Sequence, residues 1–204
     1  MFIDADILLA PGFSAQVLPL LGPRRFLRPQ PLSTDTWGSF LVHRDDFFAQ
    51  GGYDEVLQGW GCEDDDLYYR LQSYGKCSPG SFPGSLLSAL RHDNAMRTRF
   101  HAVTDQYLNQ RGNALYLHIK YDLMRLAGGM RLDVDALRNI YAEVRRAVAQ
   151  AAAAGQNSVQ VHLRLPDGTS VPIYRGTLQR QLTYSLAFED VAGASDRAHD
   201  NIAP

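Results

Sequence analysis

The chain lacks two features that would point to particular classes of protein. It has 20 Lys and Arg against 22 Asp and Glu, a formal net charge of −2, so it has no basic excess to neutralise a phosphate backbone. Its longest apolar runs, such as residues 17–21, are far shorter than the roughly 20 residues that cross a bilayer. Nucleic-acid binding and a membrane-spanning helix are therefore disfavoured.

Cysteine is also scarce, with Cys62 and Cys77 alone in 204 residues. Two cysteines can pair, but so few are typical of a reducing compartment, and no Asn begins a glycosylation acceptor. Residues 1–6 hold two acids where a signal peptide has a basic segment followed by an apolar one. We therefore expect a cytoplasmic, bacterial protein whose chain begins with a structured strand.

A composition of 45% hydrophobic and 21% charged residues is typical of one globular domain, with or without a small appendage. In the first hundred residues, short apolar segments are broken by Gly and Pro. The elements predicted there are a strand over Phe2–Leu9, a helix over Ser14–Leu21, a strand over Trp37–Val42, a helix over Arg44–Gln50 and a helix over Glu63–Tyr74.

Longer helical periodicity follows, over Arg99–Leu126 and Asp133–Ala154, with a Gly-Gly pair between. This pattern predicts two antiparallel helices. The second helix carries an apolar seam with 3-4 spacing, formed by Val134, Leu137, Tyr141, Val144, Val148 and Ala151. We expect the seam to pack within its own chain; self-association through this helix is the alternative.

Strand patterns dominate the end of the chain. Val159–Leu165 and Val171–Tyr174, joined by a turn at residues 166–169, predict a hairpin, and Leu182–Phe188 predicts a third strand. The small, polar residues 193–204 predict a frayed tail. The expected organisation is thus a site-bearing part (1–100), a helical extension (101–156), a β-hairpin or meander (157–192) and the tail.

The first candidate for chemistry is Asp4-Ala5-Asp6. Side chains two apart on a strand share a face, so both carboxylates would point the same way, as a pair of oxygen ligands for a hard divalent cation does. A solvated strand end is the alternative.

The second candidate is Glu63-Asp64-Asp65-Asp66, which begins a helix after Gly59-Trp60-Gly61-Cys62. The helix dipole favours acids at this end by about 0.3–1 kcal/mol each, but capping needs only one or two, and further acids repel one another. Carboxylates accept hydrogen bonds from sugar hydroxyls, and an indole covers the apolar face of a sugar ring. The pattern therefore indicates a site for a polyhydroxylated ligand.

With Gly51-Gly52-Tyr53-Asp54-Glu55 before it, this acidic motif resembles the C-terminal galactosyltransferase-type segment of GT-A glycosyltransferases, as in the β-1,4-galactosyltransferase family and related bacterial family 2 enzymes. The upstream Asp-x-Asp of that family is matched by Asp4 and Asp6, and its aromatic-glycine strand by Trp37-Gly38-Ser39-Phe40. Its downstream metal-binding histidine is matched by His92. The resemblance covers residues 1–100, and Cys62 stands where the family often has glycine.

The resemblance implies roles for particular residues. Asp64 would be the general base, although helix capping or membership of a metal shell is the alternative. Mn²⁺ or Mg²⁺ would be held by Asp4, Asp6 and His92, although a histidine in isolation is more often a packed or surface residue. The substrate-binding residues would be Trp37, Gly38, Trp60, Gly61, Glu63 and Asp65.

Helical geometry adds independent support for Asp64. Successive helical residues point about 100° apart, so the four acids cannot share one task. Leu67 and Leu71 mark the buried face, and Asp64 precedes them by three and seven residues, on the side that enters the domain. An inward carboxylate beside other acids should have a raised pKa.

The expected function is that of a metal-dependent inverting glycosyltransferase, which moves a hexose from a nucleotide diphosphate sugar, with UDP as the expected nucleotide, to a carbohydrate acceptor. A non-catalytic carbohydrate- or Ca²⁺-binding module is the alternative. The expected fold is the C-terminal part of an α/β GT-A fold with a mixed sheet, followed by a helical hairpin and a small β-hairpin. Three residues precede Asp4, too few for a βαβ unit. We therefore expect either that the sequence is a fragment or mis-started reading frame of a longer enzyme, or that another chain supplies the nucleotide-binding half.

Overall fold

The computed structural model describes residues 1–90, 99–126, 132–170 and 177–187 of a mixed α/β protein. The chain divides into two units. The first comprises Met1–Glu55 and Gly61–Phe100, and the second comprises Val56–Trp60 and His101–Pro204. Within the described ranges, no helix combines the length and the apolar character needed to cross a membrane.

The first unit consists of short strands and helices. In chain order they are β1 (Ile7–Leu9), α1 (Phe13–Val17), β2 (Arg25–Gln30), β3 (Leu41–Val42), α2 (Arg44–Ala49), α3 (Glu63–Ser73), β4 (Ser78–Pro83) and β5 (Leu87–Ala89). Short 3₁₀ turns lie at Leu18–Leu20, Thr34–Thr36 and Gly84–Leu86. The helices predicted over Arg44–Gln50 and Glu63–Tyr74 are confirmed as α2 and α3.

A mixed sheet of order β3-β2-β4 forms the centre of this unit, with β2 antiparallel to β3 and parallel to β4. Alternate residues of β2 face opposite sides, as the pleat requires. Phe26 packs in a cluster with Leu67 and Leu71 of α3, whereas Leu27 packs in a second cluster with Phe13. This packing holds α3 against one face of the sheet.

Two predicted strands are shorter than expected, and both corrections affect the site. The strand over Phe2–Leu9 is interrupted by a turn at residues 5 and 6, closed by a hydrogen bond from Ile7 N to Asp4 O of 3.1 Å. The inference that Asp4 and Asp6 share the face of one strand is therefore wrong. Of the strand predicted over Trp37–Val42, Leu41–Val42 forms β3 and Phe40 makes an isolated bridge with Phe2. Trp37 is not part of it, because it follows a 3₁₀ turn and keeps helical dihedral angles.

The second unit contains α4 (Gln106–Leu126), α5 (Val134–Ala153), β6 (Ser158–Ser170) and β7 (Thr177–Ala187). The helix predicted from Arg99 begins later, because the Asp105 carboxylate accepts from Leu108 N (3.0 Å) and caps the first turn. The Asp133 side chain likewise caps α5.

The helices α4 and α5 are antiparallel, as predicted. Tyr116 meets Tyr141 edge to face at 5.1 Å between ring centroids, and Arg145 reaches back to Asn109. Tyr141 and the later residues of the predicted seam are buried, whereas Val134 is exposed. The seam therefore packs within its own chain; self-association stays a prediction.

The described residues contain an antiparallel pair of strands at this end of the chain, but the second strand is Thr177–Ala187. Strands β6 and β7 pair antiparallel from Ser158 opposite Ala187 to Ser170 opposite Thr177, with a register shift between Pro166 and Ser170. Residues 166–169 lie within β6, so the turn predicted there is wrong, and residues 182–187 belong to β7 rather than to a third strand. Residues 171–174 and the predicted tail over 193–204 lie outside the described residues.

Candidate functional site

The turn before α3 sets the direction of the acidic residues. Gly61 has a φ of 97° and Cys62 a φ of 75°, both in the left-handed region that glycine adopts without strain. Cys62 therefore forms the turn that the resemblance associates with glycine, at a strain of about 1–3 kcal/mol for a non-glycine residue. Cys62 and Cys77 are both buried, and they do not form a disulfide with each other. Burial and the neighbouring acids raise the pKa of the Cys62 thiol.

The four acids of α3 have separate surroundings, beginning with Asp66, which is completely buried. Arg70 Nε donates to Asp66 Oδ2 at 2.8 Å, and Arg70 Nη1 donates to Gln50 O at 2.6 Å. Because a buried charge needs a partner, this pair ties α3 to the end of α2. Asp66 is thus structural.

Asp65 faces a different element. Trp37 Nε1 donates to Asp65 Oδ1 at 2.9 Å, and Tyr68 OH donates to the carbonyl oxygen of Trp37 at 2.8 Å. Two residues of α3 therefore hold Trp37 by its side chain and by its backbone, and they fix the position of Gly38 after it.

Glu63 and Asp64 line a pocket of about 310 Å³ in the first unit. The remaining lining residues are Met1, Phe2, Ile3, Asp4, Gly38 and Tyr53. Of the predicted site residues, the structure brings Asp4, Gly38, Glu63 and Asp64 together here.

Gly38 is in contact with the acids of the pocket. A Cβ added to Gly38 would lie 2.8 Å from Asp64 Oδ2 and 3.4 Å from Asp4 Oδ2. Contacts below 3.0 Å do not occur for real Cβ atoms, so glycine is required if these carboxylates are to keep their places. Two acids distant in sequence therefore meet at this glycine.

The other oxygen of Asp64 has a defined donor, because Tyr53 OH donates to Asp64 Oδ1 at 2.9 Å. Burial raises the pKa of Asp64 to about 6, although the Tyr53 hydrogen bond opposes the rise. Burial also raises the pKa of Glu63 to about 7, and neighbouring acids add to the rise. Burial and the Asp64 charge raise the pKa of Tyr53, which stays a neutral donor.

The predicted metal ligands are not assembled in the described part of the chain. His92 lies outside the described residues. Asp6 follows the turn and is absent from the pocket lining; its backbone oxygen accepts from Leu90 N at 2.8 Å. Within residues 1–90, 99–126, 132–170 and 177–187, no three His, Cys, Asp or Glu side chains form a group that could hold a metal ion.

Trp60, predicted to line the sugar site, belongs to the second unit with the rest of the loop Val56–Trp60. Tyr141 OH accepts from Gln58 N at 3.0 Å, and Asn113 Nδ2 donates to Gln58 O at 3.2 Å. A Cβ on Gly59 would lie 2.3 Å from Asn109 Oδ1. The two helices thus fix the backbone that leads to Trp60.

Sequence reasoning gave no role to two residues beside the acids. Tyr53 stands within the quoted Gly-Gly-x-Asp-Glu motif, and an aromatic hydroxyl between a glycine pair and two acids is a signal that could have identified it. Arg28 stacks on the rings of Trp37 and Tyr68, with its Cζ 4.4 and 4.1 Å from their centroids. A single arginine on a strand carries no such signal.

Comparison with known proteins finds a match over the segment that contains Gly38, Tyr53, Glu63 and Asp64. Residues 29–85 match the family model described as the N-terminal domain of galactosyltransferase. The match confirms the resemblance to galactosyltransferases, and it supports glycosyltransferase activity at the level of the family. The acidic motif resembles the family's C-terminal segment, whereas the matching model describes an N-terminal domain. No curated protein and no solved structure matches the chain.

Proposed function

We propose that the pocket around Asp64 is the catalytic site of an inverting glycosyltransferase with a GT-A arrangement. The reaction moves a hexose from a nucleotide diphosphate sugar, with UDP as the first nucleotide to test, to a carbohydrate hydroxyl. One observation carries the proposal: within a galactosyltransferase-like segment, Asp64 lies in a pocket with Glu63 and Asp4 and has a raised pKa.

The proposed chemistry is a single displacement with Asp64 as general base. The acceptor hydroxyl gives its proton to Asp64 Oδ2 while its oxygen forms a bond to the anomeric carbon. The bond from that carbon to the diphosphate oxygen breaks, and its electron pair leaves with the diphosphate. A carboxylate whose pKa is about 6 is ionised above neutral pH and is a stronger base than an ordinary aspartate.

The neighbours of Asp64 support this role. The Tyr53 hydroxyl occupies Oδ1, so a proton would go to Oδ2, the oxygen on the side of Gly38. Glu63 lines the same pocket, and we assign it to binding the sugar hydroxyls. We assign Trp37, Gly38, Gly61 and Asp65 to shaping the sugar site, and we assign Trp60 to sugar binding as well.

A divalent metal, Mn²⁺ or Mg²⁺, is a separate part of the proposal. Of its proposed ligands, Asp4 lines the pocket, Asp6 lies beyond a turn and His92 lies outside the described residues. The described side chains alone do not make a metal site, so no step above depends on the ion.

The metal is tested by mass action, because a ligand that binds only the folded chain raises its melting temperature. We expect Mn²⁺ to raise the melting temperature, and Asp6→Ala to abolish the rise. An unchanged rise in Asp6→Ala would place the ion elsewhere.

The function is tested in the full enzyme, or in this chain complemented by the nucleotide-binding half, by nucleotide release from UDP-hexoses with and without neutral saccharide acceptors. A transferase releases UDP with acceptor and leaks some sugar to water without it. We expect release that depends on the acceptor and is lost in Asp64→Asn. Saccharide binding with no release from any donor would contradict transfer and favour the non-catalytic carbohydrate-binding module.

A further inference from the structure

Arg28 has an unusual environment for a cation. It lies on β2 two residues after Phe26 and therefore on the face that packs against α3. Its guanidinium is sandwiched between Trp37 and Tyr68, with both ring centroids within 4.4 Å of Cζ. Its Nε and Nη2 atoms are buried and have no hydrogen-bond partner among the described residues. The aromatic faces, which are electron-rich, therefore replace acceptors for these donors.

Both rings that contact Arg28 are connected to the pocket through Trp37. Tyr68 OH donates to the Trp37 carbonyl, and the Trp37 indole donates to Asp65. The next residue, Gly38, lies against Asp64 Oδ2 and forms part of the pocket lining. A shift of the Trp37 ring would therefore move the backbone beside the proposed base.

Arg28 also acts on the acids through its charge. Burial raises the pKa of Asp64, and the positive charge of Arg28 opposes that rise. The guanidinium is thus within electrostatic range of Asp64 while making no hydrogen bond to it.

We propose that Arg28 is a positioning residue, whose planar guanidinium locks Trp37 against Tyr68 and thereby holds the Trp37–Gly38 wall of the pocket in register with Asp64. This inference rests on the proposed function. It requires the flat, weakly hydrated guanidinium of arginine, because an ammonium group cannot stack between two rings in the same way.

The test compares Arg28→Met and Arg28→Lys with Arg25→Met, which changes an exposed arginine on the same strand. Trp37 and Trp60 are the two tryptophans of the chain, so a Trp60→Phe background makes fluorescence report on Trp37 alone. We expect acrylamide quenching of Trp37 to rise about twofold or more in both Arg28 variants as the stack is lost, and to stay unchanged in Arg25→Met.

Transfer is measured without the Trp60 substitution. We expect kcat to fall about tenfold to a hundredfold in both Arg28 variants, as for a small misplacement of a reacting group, with the donor KM within about threefold of the parent. If Arg28→Met fails to fold, both the quenching of Trp37 and the transfer kinetics are measured on Arg28→Lys alone.

Three results would overturn the proposal. If Arg28→Lys kept the kcat of the parent, a positive charge alone would suffice to position the Trp37–Gly38 wall. Raised quenching with parent kcat would make the stack merely structural, and lowered kcat with unchanged quenching would mean that Arg28 acts by another route. Failure of the proposed function differs from all three, because the unsubstituted chain would then release no UDP while quenching still tests the stack.

Discussion

The two units bury polar side chains in different ways. In the second unit, the neutral buried side chains of Asn113 and Tyr141 bond the backbone of Gln58 and one another. In the first unit, α3 carries ionisable groups instead. Asp66 is fully buried and paired with Arg70, whereas Glu63 and Asp64 line a pocket with raised pKa values.

The cavities of the two units differ in the same respect. A cleft of about 490 Å³ in the second unit is larger than the pocket at Asp64, but every residue that lines it is uncharged: Ala147, Gln150, Ala151, Gln156, Asn157, Ser158 and Gln160. By volume alone, this cleft would be chosen as the active site. Acid–base chemistry, however, needs titratable side chains, which line the smaller pocket. Acids with raised pKa values therefore distinguish a reactive site from a structural network.

The largest effect is expected at the buried ion pair. Asp66→Ala leaves Arg70 charged and buried without its carboxylate, so the free energy of unfolding should fall by about 3–5 kcal/mol. The control, Asp135→Ala, removes an exposed ion pair with Arg138 in the second unit. It should change the free energy of unfolding by less than about 1 kcal/mol. Denaturant unfolding measures both, and equal small losses would show that Asp66 has no structural role.

The next effect is expected at the pocket wall. Gly38→Ala forces a methyl group to within 2.8 Å of Asp64 Oδ2, so transfer should fall about tenfold or more through displacement of the base. Gly22→Ala is the matched control, since a Cβ there meets nothing within 4 Å. Parent transfer rates in Gly38→Ala would show that the Asp64 position is not critical.

In the second unit, Tyr141→Phe should lower stability by an amount that does not depend on pH. The variant leaves the backbone groups of Gln58 without the hydroxyl that bonds them, at a loss of about 1–3 kcal/mol. The control Tyr107→Phe changes an exposed side chain and should be neutral. Thermal unfolding at pH 6 and pH 8 should give the same loss, and a loss at only one pH would contradict the comparison.

The last expected effect is a pH-dependent gain in stability in Glu63→Gln. The pKa of Glu63 rises from 4.5 to about 7 on folding, so the folded state binds its proton more tightly than the unfolded state. Stability therefore falls as pH rises through this window, and ionised Glu63 destabilises the fold at pH 8. The melting temperature of Glu63→Gln should exceed that of the parent at pH 8, and this difference should shrink towards pH 4.5. An equal difference at both pH values would contradict the assigned burial of Glu63.

The helix α3 could be predicted from its sequence because its signals are local. Leu67 and Leu71 are spaced for one buried face, and both lie in the core; Asp64, one turn earlier, lies in the pocket as that spacing indicated. The helical pair likewise followed from the periodicity of α4 and α5. Elements whose limits depend on capping, such as the start of α4 at Asp105, were less predictable.

The rest of the site depends on contacts between distant residues. Trp37 was predicted on a strand but lies after a 3₁₀ turn, because α3 holds it through Asp65 and Tyr68. Tyr53 and Arg28 have roles that exist only once β2, the Gly-Gly segment and α3 have come together. Periodicity and short motifs report on neighbours in sequence, and so they could not supply these partners.

The most direct test of the account is the transfer rate of Asp64→Asn beside that of Asp65→Asn. Asparagine keeps the size of Asp64 and can still bond to Tyr53, but it cannot accept a proton. The account predicts that Asp64→Asn keeps its affinity for the UDP-hexose and transfers at least about a hundredfold more slowly, whereas Asp65→Asn loses less. Near-parent transfer by Asp64→Asn, together with a large loss in Asp65→Asn or Glu63→Gln, would contradict it and assign the base to a neighbour.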